Sequence, residues 1–214
     1  MEERLAACGD MLTVADLTDK NMKNAAGGRE LLDFNAVFKN DNPVRLEIGC
    51  GKGKFVCEAA ARYPDVNFIA VEKISNVLIE AVERAKAENL TNVHFINSAA
   101  EVLPRYIPEG SIEQIYLNFS NPLPKLGYVK QRLTHPKFLR EYAAFLKTGG
   151  LIVQKTDDRD FYLFSLESYL SCGYEILEKC ENLHALSDPE NIVTEHEKRF
   201  SDMGKNIYRI VAKI

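Results

Sequence analysis

Val44-Arg45-Leu46-Glu47-Ile48-Gly49-Cys50-Gly51-Lys52-Gly53 is the stretch on which the fold turns. Its first five residues read as a strand. Three glycines at G-x-G-x-G spacing follow, and Lys54 to Tyr63 reads as a helix stopped by Pro64. A glycine-rich turn carries meaning when it joins a strand to a helix. Glycine permits the tight turn and lets a ligand lie against bare backbone. A dinucleotide fingerprint would read G-x-G-x-x-G and set a pyrophosphate at the helix N-terminus. Here an acid, Glu47, precedes the first glycine. A carboxylate at a strand end suits an ammonium group better than a pyrophosphate, and S-adenosylmethionine carries an ammonium and no phosphate. Glu72, at the end of the next strand, is placed to accept hydrogen bonds from both hydroxyls of a ribose. Either acid alone is commonplace as a helix cap or surface charge. Together with Gly49, Gly51 and Gly53 they point to S-adenosylmethionine.

Outward from this turn the pattern stays regular. Asn67 to Val71, Asn92 to Ile96, Ile112 to Asn118 and Leu151 to Thr156 read as further strands. Ser75 is expected to cap a helix reaching about Glu88, with Val77, Leu78, Ala81, Val82 and Ala85 on one stripe. A short helix is expected over Ala100 to Tyr106. Another, capped by Thr134, should run to Leu146 with Pro136 in its first turn and Gly149-Gly150 beyond its end. Arg159 to Ser171 reads as a helix, and Tyr174 to Lys179 and Ile207 to Ile214 as two last strands. Strands alternating with helices imply βαβ units and a parallel sheet covered on both faces. The last two strands, with no obvious helical run between them, suggest an antiparallel close. The long stretch joining them reads as a functional loop. Residues 1–30 are weakly patterned and are expected to form a flexible or weakly ordered arm, leaving 31–214 as the folded domain.

Composition narrows the function classes. Of the 214 residues 46% are hydrophobic and 27% charged, which suits a globular core and argues against disorder. No run approaches the roughly 18 apolar residues of a membrane span. The start of the chain shows no basic segment followed by an apolar one, so no secretory signal is expected. Five cysteines without C-x-x-C or Cys/His ligand spacing read as reduced thiols of a cytoplasmic protein, with no metal. The net charge of −4 works against non-specific nucleic-acid binding. Yet Gln114 to Arg140 contains no acid, while Lys125, Lys130, Arg132, Lys137 and Arg140 fall within it. Taken alone, such a cluster is most often a solvated face; beside a binding site it makes an anion-binding lip.

The chain also resembles the bacterial tRNA (guanine-N7)-methyltransferase family. The resemblance runs over roughly residues 34 to 214 and is carried by Leu46 to Phe55, Tyr116 to Lys125, Gln131 to Thr134, Lys155-Thr156-Asp157, Thr194 to Glu197, Phe200 and Ile207-Tyr208-Arg209. It implies a Rossmann-like class I methyltransferase fold: α/β, a mostly parallel seven-stranded sheet with helices on both faces and an antiparallel C-terminal strand. It implies methyl transfer from S-adenosylmethionine to N7 of a guanine in the tRNA variable loop, by a monomer or homodimer, with S-adenosylhomocysteine as product. Carried over by position, Glu47, Gly49, Gly51, Gly53 and Glu72 would hold the cofactor, joined by Asn97, Ser98, Ala99 and Asn118. Lys125, Arg132, Asp157, Thr194 and Glu197 would bind the tRNA, and Asn121 with Asp157 would stand at the reacting base.

Several positions depart from the family pattern. The usual D-P-W-P-K reads Asn121-Pro122-Leu123-Pro124-Lys125, Ala99 stands where an acid is expected, and His196 replaces a tyrosine. These departures support a second reading, a cofactor-binding paralogue with weak or lost catalysis that acts as a binding module.

Overall fold

The computed structural model describes residues 2–14 and 30–214. Along the chain run α1 (Glu2–Ala7), a 3-10 turn at Gly9–Met11, β1 (Leu12–Val14), α2 (Phe34–Phe38), β2 (Val44–Ile48), α3 (Lys54–Arg62), β3 (Asn67–Glu72), α4 (Ser75–Ala87) and β4 (Val93–Asn97). A 3-10 stretch (Ala100–Arg105), β5 (Ile112–Asn118), a second 3-10 stretch (Leu126–Gln131), α5 (Pro136–Phe145), β6 (Leu146–Thr156), α6 (Arg159–Ser171), β7 (Glu175–Cys180), a short 3-10 turn (Leu183–Ala185), α7 (Glu195–Asp202) and β8 (Tyr208–Lys213) follow.

The strands form one sheet in the order β1-β4-β3-β2-β5-β6-β8-β7. The pairs from β1 to β6 are parallel, and β8 lies antiparallel to both β6 and β7. Side chains alternate across a strand, and the central strands are apolar on both faces because both faces are covered. Phe68 and Ala70 of β3 pack with Val56 and Cys57 of α3 and Leu78 and Val82 of α4. Ile69 and Val71 belong to the opposite core, with Phe138 and Tyr142 of α5 and Tyr162 and Tyr169 of α6. Burial of a side chain such as Leu46 or Leu78 contributes about 1.5–3 kcal/mol, so these two layers hold the sheet edge that carries the glycine turn.

Among the described residues the sheet has eight strands where the pattern predicts seven. The added one is β1, inside the stretch expected to be a weakly ordered arm. Its three residues pair with Phe95, Ile96 and Asn97 of β4, and Thr13 Oγ1 and His94 Nε2 share a hydrogen bond of 2.8 Å. A three-residue strand is too short for periodicity to reveal. Residues 15–29 of the expected arm lie outside the described residues.

Four smaller expectations are corrected. Ser75 does not cap α4; Ile74 holds that position, and Ser75 Oγ donates to Asn97 Oδ1 at 2.8 Å. Thr134 does not cap α5; His135 does, its Nδ1 accepting from the Lys137 amide at 3.1 Å, while Thr134 is buried against Ser165. Strand β6 begins at Leu146, directly after α5, and passes Gly149-Gly150 with a register shift. The long connection between β7 and β8 contains α7, capped by Thr194, whose Oγ1 accepts from the Glu197 amide at 3.0 Å. Its charged sequence, Glu195-His196-Glu197-Lys198-Arg199, hides it from a search for an apolar stripe. All five cysteines are free.

Candidate active site

Chain direction in the parallel strands fixes where the site lies. From β2 the chain goes to β3 on one side, while β5 flanks β2 on the other. Loops leaving neighbouring strand ends in opposite directions open a crevice at their carboxyl ends. A cleft of about 630 Å³ lies there, lined by residues of the glycine turn, the ends of β3 and β5, the Ser98–Glu101 segment and the start of α7.

Glu47 ends deep in this cleft and is 2% exposed. Its Oε1 accepts from Asn118 Nδ2 at 3.0 Å, and its Oε2 is buried without a hydrogen-bond partner. Burial pushes the carboxyl up to about 7, against the opposing influence of the Asn118 bond and the Lys155 charge. A half-satisfied buried carboxylate is costly unless something donates to it. The same burial raises the neighbouring Cys50 thiol well above its ordinary value.

The glycine turn needs its glycines for two different reasons. Gly49, Gly51 and Gly53 all adopt positive φ, at 86°, 56° and 76°. A Cβ on Gly49 or Gly51 would point into open space. On Gly53 it would fall 2.7 Å from Ala81 Cβ, where α3 approaches α4. The first two therefore keep the cleft wall bare and the third lets two helices touch. Amides of Gly49 and Cys50 both donate to Val71 O, at 2.8 and 3.0 Å, which ties the turn to β3. Glu72 reaches across: its Oε2 accepts from the Gly51 amide at 3.3 Å and its Oε1 from the Ile74 amide at 2.9 Å.

Of the other expected cofactor residues, Ser98, Ala99 and Asn118 line the cleft. Asn97 does not; it is buried behind, donating to Glu72 O at 2.9 Å and accepting from Ser75, and so holds the β3 and β4 ends together.

The expected substrate residues divide similarly. Asn121 and Thr194 line the cleft, as does Leu123 beside Asn121. The Asn121 side chain accepts from the Leu123 amide at 3.1 Å. Phe119 and Leu123 on either side hold positive φ, 53° and 46°, values that non-glycine residues avoid. Lys125 is exposed beside this loop, with Lys130, Lys137 and Arg140 also exposed. Arg132 supports the loop from behind: its Nη2 donates to Leu123 O at 3.3 Å and its guanidinium lies 4.4 Å over the Phe164 ring. Asp157 sits outside the cleft lining and pairs with Lys205 at 2.6 Å. Glu197 is fully buried, 2.7 Å from Lys155 Nζ.

Lys155 itself escapes the sequence reading, although a lysine within the buried strand pattern Leu151 to Thr156 is its signal. So does the aromatic wall of Phe119, His196 and Phe200, with ring centroids 6.0–6.2 Å apart. Among the described residues no group of His, Cys, Asp or Glu is arranged to hold a metal, and no helix is long and apolar enough to cross a membrane.

The sheet order, the bare glycine wall and a buried carboxylate oxygen awaiting a cationic donor together define a class I S-adenosylmethionine-dependent methyltransferase. Known proteins narrow the class. Residues 41–210 match the family described as "Putative methyltransferase". The chain is 39% identical over 180 residues to the tRNA (guanine-N(7)-)-methyltransferase of Oceanobacillus iheyensis, covering 84% of each chain. It is 41% identical over 176 residues to that of Staphylococcus saprophyticus, covering 82% of this chain and 83% of the relative. Among solved structures, the 16S rRNA methyltransferase KamB shares the fold with a TM-score of 0.66 at 16% identity, over 86% of this chain and 94% of that one. The chain belongs to the tRNA (guanine-N(7)-)-methyltransferase family.

Proposed function

We propose that this protein methylates N7 of a guanine in the variable loop of tRNA. The observation that carries the reading is the cleft itself: the unpartnered Glu47 Oε2 at its floor, and Asn121 at a mouth bordered by exposed Lys125. When bound there, S-adenosylmethionine supplies a methyl group on an electrophilic sulfonium. Glu47 receives the ammonium, Gly49 and Gly51 leave room for the chain, Glu72 takes the ribose, and Ser98 and Ala99 border the adenine. Asn118 orients Glu47.

Guanine N7 presents an in-plane lone pair, so no side chain has to remove a proton from it. The work left to the protein is placement, holding the reacting atoms within about 3–3.5 Å in line. A base in a structured RNA reaches such a cleft by leaving its stack. Asn121 meets its edge, and the Leu123 and Phe119 side border the base. Lys125 and the exposed Lys130, Lys137 and Arg140 contact phosphates, which position the RNA without reading sequence. Asp157, Arg132, Thr194 and Glu197 hold the walls. Residues 31–214, with β1 added at the margin of their sheet, form the catalytic domain of a cytoplasmic enzyme whose partner is tRNA.

Transfer of labelled methyl from S-adenosylmethionine to unmodified bacterial tRNA, followed by mass analysis of the nucleosides, tests this. The expected product is a guanosine methylated at N7; its absence with every tRNA tried would overturn the reading.

A further inference from the structure

The buried pair Lys155–Glu197 is closed off from solvent and engaged within the protein. Lys155 Nζ donates to Glu197 Oε2 at 2.7 Å, Ile192 O at 2.8 Å and Asn191 Oδ1 at 3.0 Å. An ammonium has three donors, and all three are used. Glu197 Oε1 accepts from Asn191 Nδ2 at 2.6 Å and lies 3.2 Å from His184 Nε2. The side chains are 4% and 0% exposed. Burial holds the Lys155 ammonium below its ordinary range, opposed mainly by the Glu197 charge.

What the pair touches is mechanical. Lys155 stands near the end of β6, and Glu197 lies in the first turn of α7. One ion pair therefore bolts the start of α7, together with Asn191 and Ile192 of the preceding segment, to the sheet. The three residues before Glu197, namely Thr194, Glu195 and His196, line the cleft. The His196 ring stacks on Phe119, 6.1 Å between centroids and 19° from parallel, and Phe200 packs against both rings. Phe119 leads through its positive-φ backbone to Asn121, and its amide donates to Lys155 O at 2.8 Å. Lys155 thus holds the wall facing Asn121 from its side chain and the Asn121 loop from its backbone.

We infer that Lys155 and Glu197 are positioning residues that set the spacing between α7 and the Asn121 loop, and that neither touches the tRNA. The kinetic part of this inference rests on the proposed tRNA activity. Removing one member of a buried pair strands the other charge, whereas replacing both with apolar groups tends to preserve the fold.

The test compares wild type with Glu197→Gln, Lys155→Met, the Lys155→Met/Glu197→Gln double variant and an apolar pair, Lys155→Met/Glu197→Leu. Two quantities are read: hydrogen exchange of amides 194–202 against those of β2 and β3, and KM against kcat for tRNA. Each single variant should speed exchange in 194–202 with β2 and β3 still protected, and raise KM for tRNA about tenfold. The Lys155→Met/Glu197→Gln variant should be no worse than the poorer single, because both changes break one clamp. Should Lys155→Met fail to fold, the apolar pair should fold with KM still raised; a wild-type KM there overturns the inference. It is equally overturned if Glu197→Gln alone raises KM while Lys155→Met matches wild type, or if the two losses multiply, since Glu197 would then be a contact to RNA. A wild type inactive on every tRNA defeats the functional reading only; unchanged exchange of 194–202 in both singles defeats the clamp.

Discussion

Asn118 donates one hydrogen bond to Glu47, at 3.0 Å across the β2–β5 boundary, and leaves the second carboxylate oxygen of Glu47 buried with nothing to accept from. The amide fixes the direction in which that oxygen points. Burial has raised Glu47 to about 7 from an ordinary carboxyl value, so the free protein gains stability from the protonated form. That gain is complete at low pH and is lost as pH rises through about 7. A ligand ammonium binds the ionised form, so the sign for binding is the reverse. Affinity for S-adenosylhomocysteine should rise from pH 6 to pH 8, with a proton released on binding at pH 6. The slope below pH 7 should approach tenfold per unit. Calorimetry in buffers of different ionisation enthalpy measures both. Glu47→Gln should bind more weakly and lose the slope; a flat profile in wild type would exclude Glu47 as the ammonium partner.

The glycine turn separates binding from stability. Gly51→Ala places a methyl group in the cleft, and Gly53→Ala places one 2.7 Å from Ala81 Cβ. The first should weaken cofactor binding with a small change in melting temperature, reflecting about 1–2 kcal/mol for the positive φ. The second adds overpacking of about 1–3 kcal/mol and should lower the melting temperature further. Equal melting temperatures for the two variants would contradict the helix contact assigned to Gly53.

Asn121→Asp asks whether charge matters at the cleft mouth. The Asn121 oxygen already accepts from the Leu123 amide, a bond an aspartate retains, so the substitution adds charge with little change of loop geometry. A carboxylate there would oppose the positive charge that develops on a guanine ring as N7 is methylated. Single-turnover transfer should accelerate, by about tenfold for each 1.4 kcal/mol of stabilisation. An unchanged rate would mean that Asn121 acts by orientation alone.

His94 carries the acid sensitivity of the first strand. Burial lowers its imidazole to about 4, with a backbone bond from the Asp10 region acting the other way. A depressed folded value means that the contribution is present above the ordinary 6.5 and is lost as pH falls toward 4. Thr13→Val should remove the 2.8 Å partner of His94 and cost about 1–3 kcal/mol as an unsatisfied buried group. Urea unfolding at pH 7.5 and 5 reads both effects. A Thr13→Val protein as stable as wild type would show that the bond does not hold β1.

Much of this was legible in the residues. The strand, the three glycines and the two acids lead to one end of a single cleft because each needs only local geometry: a turn with positive φ and a carboxylate at a strand tip. The tRNA side was less legible, since its residues meet through packing. Asp157, Arg132 and Glu197 fall in stretches that carry the same family resemblance as Asn121 and Lys125, yet the structure ties the first three to Lys205, Leu123 and Lys155. No spacing rule distinguishes a side chain facing a cleft from one bracing its wall. Helix α7 and strand β1 were invisible for the opposite reason: one is too charged and the other too short to show a period.

The first strand also imposes an order on the making of this molecule. Thr13 bonds to a histidine 81 positions further along the chain, and its strand neighbours belong to the same β4 segment. As the chain is synthesised from its N-terminus, Leu12–Val14 emerges early and finds no mate until β4 has followed it out. Among the described strands only β4 pairs with it. Leu12–Val14 is therefore made well before the strand that seats it, and without it β4 would be the bare margin of the sheet.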